Sequence, residues 1–113
     1  MHEISLAEEI LRIIEESSAR EGFLHVQSLT LEIGQLAGVD PESLSFALTH
    51  MAPGSLIDGA IIHLDERPGS GYCSSCSTRV AIDFGLAPCP RCGHQPLSLI
   101  EGTELRVRHL EVI

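Results

Sequence analysis

Two Cys-x-x-Cys pairs constrain this chain more than anything else in it: Cys73-Ser74-Ser75-Cys76 and Cys89-Pro90-Arg91-Cys92, with 12 residues between them. Two intervening residues let both thiolates of a pair point at one ion, and two such pairs close a tetrahedral site. The segment between the pairs must therefore turn back on itself. Val80, Ile82 and Phe84 alternate along it, which predicts a strand of a small ribbon that brings the pairs together. Other chemistries compete for four cysteines. Two disulfides need an oxidising compartment, yet the start Met1-His2-Glu3 is acidic where an export signal is positively charged. A thioredoxin-like redox pair needs a single C-x-x-C at a strand-to-helix turn. Iron is the closest rival, because Cys-Pro-x-Cys-Gly also occurs in rubredoxin; rubredoxin-like cores are aromatic, and this module has only Tyr72 and Phe84. The expected ion is zinc. Four sulfur ligands leave no open position for water, so the site is expected to be structural, supplying folding free energy that so small a module lacks. His94, two residues past Cys92, reads as a loop histidine.

The rest of the chain predicts an α+β fold. Ser5-Leu6-Ala7-Glu8 has the form of a capping box, with a hydroxyl at the N-cap and a carboxylate three residues on. The helix it opens would bury Leu6, Ile10, Ile13 and Ile14, pair Glu8 with Arg12 and Glu16 with Arg20, and end at Gly22. From His25 to Gly34 the period falls to two, with Leu29, Leu31 and Ile33 inward and Ser28, Thr30 and Glu32 outward. A turn over 34–38 precedes Asp40-Pro41, an N-cap and first-turn proline. Leu44, Ala47, Leu48 and Met51 then face inward, and Pro53-Gly54 stops the second helix. Ala60, Ile62 and Leu64 suggest a second strand, and Pro68-Gly69-Ser70-Gly71 a flexible boundary. Leu105, Val107, Leu110 and Val112 form a third strand whose spacing slips after Val107, as at a bulge. So short a tail cannot bury its own apolar face, so it should return to the first sheet. The expected architecture is a small antiparallel three-stranded sheet with two helices, over 1–67 and 98–113, plus an inserted four-cysteine zinc-ribbon module over 68–97.

Charge narrows the function. The net charge is −9, from 16 acidic and 7 basic residues, none of them lysine. Residues 1–66 hold 12 Asp/Glu against Arg12 and Arg20, a distribution that repels phosphate backbones. No apolar run approaches the roughly 20 residues that span a bilayer. A cytoplasmic protein that contacts neither nucleic acid nor membrane is expected. No nucleophile motif, phosphate-binding glycine loop or open-site metal triad supports an enzyme.

The N-terminus carries a second metal motif. The bulk of His2 keeps Met1 in place, so the α-amine, the His2 amide and the His2 imidazole follow one another. Ni²⁺ and Cu²⁺ favour such a tetragonal nitrogen set, and Glu3 can add a donor. By itself a histidine at position 2 is more often incidental. His25, His50, His63 and His109 show no ligand spacing.

Taken together, Met1-His2-Glu3-Ile4-Ser5-Leu6, the run from Ile33 to Glu42, Leu44 and Phe46, the two cysteine pairs, and Gly102-Thr103-Glu104-Leu105-Arg106-Val107 resemble the HypA/HybF family of hydrogenase nickel-incorporation proteins over nearly the whole chain. The resemblance implies a nickel metallochaperone that supplies Ni²⁺ to the large subunit of NiFe-hydrogenase with a maturation GTPase, some relatives also serving urease. It places nickel on His2, with Glu3 as a neighbouring donor and Asp40 near the site, and zinc on Cys73, Cys76, Cys89 and Cys92. Two residues depart from the pattern: Ser77, where a glycine often follows the first pair, and His109 in the last strand. A zinc-ribbon adaptor that binds nucleic acid, without nickel, is the competing reading.

Overall fold

The computed structural model describes residues 2–113. Eight elements follow in order: α1 (His2–Glu21), β1 (Val26–Gly34), α2 (Pro41–Met51), β2 (Ile61–Arg67), β3 (Gly69–Cys73), β4 (Thr78–Ile82), β5 (Ser98–Glu101) and β6 (Leu105–Val112). They make two three-stranded sheets, ordered β2-β1-β6 and β4-β3-β5. The chain divides into two compact units. One is the chain up to Leu31 with Asp40–Leu64 and Val107–Ile113; the other is Glu32–Val39 with Asp65–Arg106.

In the first unit α1 begins at His2, three residues before the expected cap at Ser5, which lies exposed inside the helix. The reason is packing and charge. Ala7, Ile10 and Ile14 are buried, half-buried Glu3 and Leu6 carry the same stripe back to the start, and a Glu3 carboxylate in the first turn complements the helix dipole. Ile13 is off the stripe and 39% exposed. The expected Glu8–Arg12 and Glu16–Arg20 pairs are replaced by Arg12 bridging Glu9 and Glu16, one turn to either side on the same face. The hydrogen bond from Arg12 holds the Glu9 carboxyl below the usual range and the guanidinium above its own. The helix ends as the sequence suggests, at Gly22 with φ 80°, its N–H donating to Ser18 O at 2.8 Å.

Asp40 caps α2, accepting from the Glu42 N–H and the Ser43 hydroxyl at 3.3 and 2.7 Å. Leu44, Ala47 and Leu48 bury the helix's inner face, and α2 packs against α1, whose Ala7, Ile10 and Ile14 are buried. The last strand returns to the first. Leu24 N–H donates to Ile113 O, and Ile113 N–H to His25 O, at 2.8 and 2.9 Å, which makes β1 and β6 antiparallel. β2 reaches β1's other edge after the α2 crossover. Gln35 N–H, just past β1, donates to Arg67 O at the end of β2, so the two C-terminal ends meet.

As the middle strand, β1 is buried on both sides: Ser28 and Glu32, expected outward, are 8% and 2% exposed. Their polarity is satisfied. Ser28 Oγ donates to Glu111 Oε1 at 2.6 Å, and Glu32 is held by Arg67 and Arg106. In β6 the partly buried positions are Leu105, Val107 and Leu110, which reproduces the slip in spacing.

The second unit folds around β3, which pairs antiparallel with β4 from Gly69↔Ile82 to Cys73↔Thr78 and with β5, where the register shifts between Ser70 and Gly71. The stretch 69–71, expected to be a flexible boundary, is buried strand. Its glycines serve close approach: a Cβ on Gly69 would lie 2.5 Å from Leu36 Cγ and 2.7 Å from Ile82 O. Phe84 lies beyond β4 and is 55% exposed, because the chain has already turned away from the sheet. Residues 98–101, expected with the last strand, form β5 beside β3. Residues 32–39 join the same unit, Gln35 Oε1 accepting from Gly69 N–H at 3.1 Å. Among the described residues no helix is long and apolar enough to cross a membrane.

Candidate metal sites

The second unit presents the cysteines from two knuckles. Cys73 is the last residue of β3, and Cys76 lies in the turn that leads to β4. The Cys76 N–H points at Cys73 Sγ, 3.3 Å away. Ser77 completes the turn with φ 53°, the left-handed conformation that favours glycine. In the second knuckle the Arg91 N–H points at Cys89 Sγ at 3.4 Å, while Gly93 N–H to Cys89 O and Cys89 N–H to His94 O close the loop at 2.8 and 3.0 Å. All four sulfurs lie within 4.8 Å of one another, with Cys73 and Cys92 3.6 Å apart and all four thiols free of disulfides. A tetrahedral ion with bonds of about 2.3 Å to sulfur spaces its ligands by about 3.8 Å, so the four thiolates fit zinc. Cys73 and Cys89 are buried with Val80, Ile82, Ala87 and Leu97, which makes the ligands part of this unit's core.

The metal-free thiols are strongly differentiated. Hydrogen bonding with Cys92, then loss of surrounding water, pushes Cys76 up to about 12. Burial acts to raise Cys89, but the Arg91 and Cys92 N–H groups overcome it and bring that thiol down to about 7. A divalent cation would compensate all four negative charges at once. His94 lies outside the four-sulfur cluster, its Nε2 3.3 Å from Ser74 Oγ.

Among the described residues this is the one group of three or more Cys, His, Asp or Glu side chains close enough to share an ion. His2, Glu3 and Asp40 are thus not gathered into a ready-made set, and the Met1 α-amine lies outside the described residues. What the structure does bring together is Glu3 and Asp40. Both line a cleft of about 580 Å³ in the first unit, with Ile4 from α1 and Glu42, Ser43, Phe46, Ala47, His50 and Met51 from α2. His2 is exposed and immediately precedes Glu3 in the first turn of α1. The sequence reading missed this cleft. Its available signal was Phe46 and His50, four residues apart and out of phase with the inward Leu44, Ala47 and Leu48, where they stack with ring centroids 6.1 Å apart.

The family described as "Hydrogenase/urease nickel incorporation, metallochaperone, hypA" matches residues 1–112. The chain belongs to the HypA family. It is 42% identical to the hydrogenase maturation factor HypA of Alkalilimnicola ehrlichii and 43% identical to that of Azotobacter vinelandii, each over 112 residues and 99% of both chains. The fold is that of the solution structure of the Ni metallochaperone HypA from Helicobacter pylori, with TM-score 0.69, 19% identity, and 98% of this chain and 97% of that one covered. Membership makes this a metallochaperone of hydrogenase/urease nickel incorporation. The two helices with their three-stranded sheet, and a four-cysteine cluster that fits a zinc ribbon, are the architecture the sequence predicts.

Proposed function

We propose that the chain captures Ni²⁺ at its N-terminus and delivers it to the large subunit of NiFe-hydrogenase, working with the maturation GTPase of that pathway and serving urease maturation as a second route. It does so as a carrier, without catalysing a reaction, in the cytoplasm. His2 is the principal ligand, through its imidazole and amide; Glu3 adds a carboxylate, and Asp40 can contribute from its place on the same cleft as Glu3. Cys73, Cys76, Cys89 and Cys92 hold a structural zinc ion. Nickel handling then belongs to the part that carries α1 and α2, and zinc binding to the part that carries the cysteine pairs.

The observation that carries the nickel site is that His2 stands exposed in the first turn of α1. The N–H groups of a first turn have no acceptor within the helix, so the His2 amide can give up its proton to a metal without breaking the ladder. The negative nitrogen this creates lies at the positive end of the helix dipole. A terminal, few-ligand site also suits transfer, since an incoming ligand can displace donors one at a time. Acid should weaken it, because amine, amide and imidazole all lose protons on binding.

Nickel titration of the zinc-loaded protein, with its natural terminus and as His2→Ala, tests this reading. Wild type is expected to bind about one Ni²⁺ in the micromolar range, near −8 kcal/mol, and His2→Ala to lose it while keeping zinc. Equal binding by both proteins, or by neither, would move the assignment to a zinc-ribbon adaptor.

A further inference from the structure

Nickel chemistry uses only the acidic edge of the α1–α2 cleft. Most of the cleft is apolar: Ala47 and Met51 line it together with Ile4 and Phe46, which are 44% and 73% exposed. Phe46 is the most exposed phenylalanine in the chain, and stacking on His50, with the ring planes 14° apart, presets its position. Three carboxylates, Glu3, Asp40 and Glu42, stand beside this apolar surface. Asp40 also accepts the two hydrogen bonds of the helix cap, one on each oxygen. Among the described residues no arginine or histidine forms an ion pair with any of the three, and no arginine lines the cleft.

We propose that this groove docks an amphipathic helix of a protein partner, one whose apolar anchors are flanked by Lys or Arg. An apolar surface with acidic neighbours matches such a helix in both hydrophobicity and charge. The volume, about 580 Å³, lies within the range of grooves that accept inserted groups. Charge selects among occupants. A second copy of this chain, at net charge −9, would bring the same carboxylates face to face, whereas a basic partner neutralises them. The inference deepens the chaperone reading and rests on it for one point, the reason for docking there: His2 directly precedes Glu3, so the seated partner stands beside the proposed nickel donor. Helix binding itself needs no nickel.

The test is fluorescence anisotropy with a panel of labelled helical peptides, Leu or Ile anchors at i, i+3 or i+4 and i+7, against the full-length, zinc-loaded, nickel-free protein. One panel carries Lys and Arg beside the anchors, a matched panel Glu. Members of the basic panel are expected to bind at roughly tens of micromolar and the acidic panel at least about tenfold more weakly. Phe46→Ser, at an exposed position, should keep zinc and fold and lose about tenfold in affinity. Glu42→Lys should shrink or reverse the preference between panels. His2→Ala should bind peptide as wild type does, so failure of the nickel reading and failure of docking are separable. The proposal is overturned if no basic peptide binds below about 1 mM, or if Phe46→Ser binds equally well. A dimer in sedimentation that Phe46→Ser dissolves would also overturn it, by assigning the groove to a second copy.

Discussion

Glu32 is a carboxylate with 3% of its side chain exposed, and two guanidinium groups keep it there, Arg106 Nε at 2.5 Å and Arg67 Nε at 3.4 Å. The arginines are 59% and 45% exposed and can be rehydrated when the partner is lost; Glu32 cannot. Removing the buried partner therefore leaves cations near water, and removing an arginine leaves a buried anion with one fewer counter-charge. Breaking a buried pair typically costs about 3–5 kcal/mol, and the exposure of the arginines places this case at the low end. Arg106→Ala is expected to destabilise the protein by about 3 kcal/mol in urea unfolding, and Arg67→Ala, at the longer distance, by less. Equal effects for both would mean that the carboxylate is held through contacts other than these. Ser77 is the opposite case, a residue at a place that suits another. At φ 53° a side chain opposes the backbone by about 1–2 kcal/mol, and glycine gives back about 0.5–1 kcal/mol in unfolded-state entropy. Ser77→Gly should gain up to about 1 kcal/mol, read as a raised Tm with zinc content unchanged. The sequence pointed to Ser77 because glycine is usual there. It did not point to the burial of Glu32, since a period of two says which side a residue takes, not how many strands flank it.

Among the elements, those defined by local chemistry were legible and those defined by partners were not. Asp40-Pro41 announced α2, and a hydroxyl or carboxylate cap acts within its own turn. Ser5 offered the same kind of signal for α1 and was overruled, because the packing stripe of Ala7, Ile10 and Ile14 continues back to Glu3. β3 and β5 were invisible for a different reason. Gly69-Ser70-Gly71 reads as a breaker unless the neighbouring backbone that needs its missing side chains is known, and Ser98–Glu101 is exposed at every position, so it carries no alternation. The cysteine knuckles were legible because their spacing encodes the ligand geometry. Their thiols also fix a pH dependence. In the metal-free chain Cys76 titrates at about 12 and keeps its proton at neutral pH, so zinc binding must displace it. Cys89, brought down to about 7, is mostly thiolate above that pH and mostly protonated below it. Zinc affinity should therefore fall by at least about tenfold per pH unit between 8 and 7, and more steeply between 7 and 6. Competition with a chromophoric chelator across that range measures it; a flat profile would mean that the thiols enter the site already ionised.

At the scale of the whole chain, charge decides what the surface can approach. The excess of acid is concentrated: residues 1–66 carry 12 acidic side chains against two arginines, and residues 67–98 carry Asp83 against three. Even in the cysteine-bearing part, two of the three arginines are committed to carboxylates. Of its arginines, Arg67 pairs with Glu32 and Asp65, and Arg79 with Glu101. Nucleic-acid affinity comes mainly from cations that displace counterions along the phosphate backbone, and a module with few uncommitted guanidiniums inside a chain of net charge −9 has little to offer. The zinc-loaded protein is expected to show no binding to a labelled DNA duplex or single strand up to about 100 μM at 150 mM salt, where non-specific binders reach about 1–100 μM. The same acidity that repels phosphate draws in cations and basic protein surfaces, so attraction to a basic helix and indifference to DNA arise from one charge distribution. Binding to DNA that weakens linearly with the logarithm of salt would break that link and favour the zinc-ribbon adaptor over the nickel carrier.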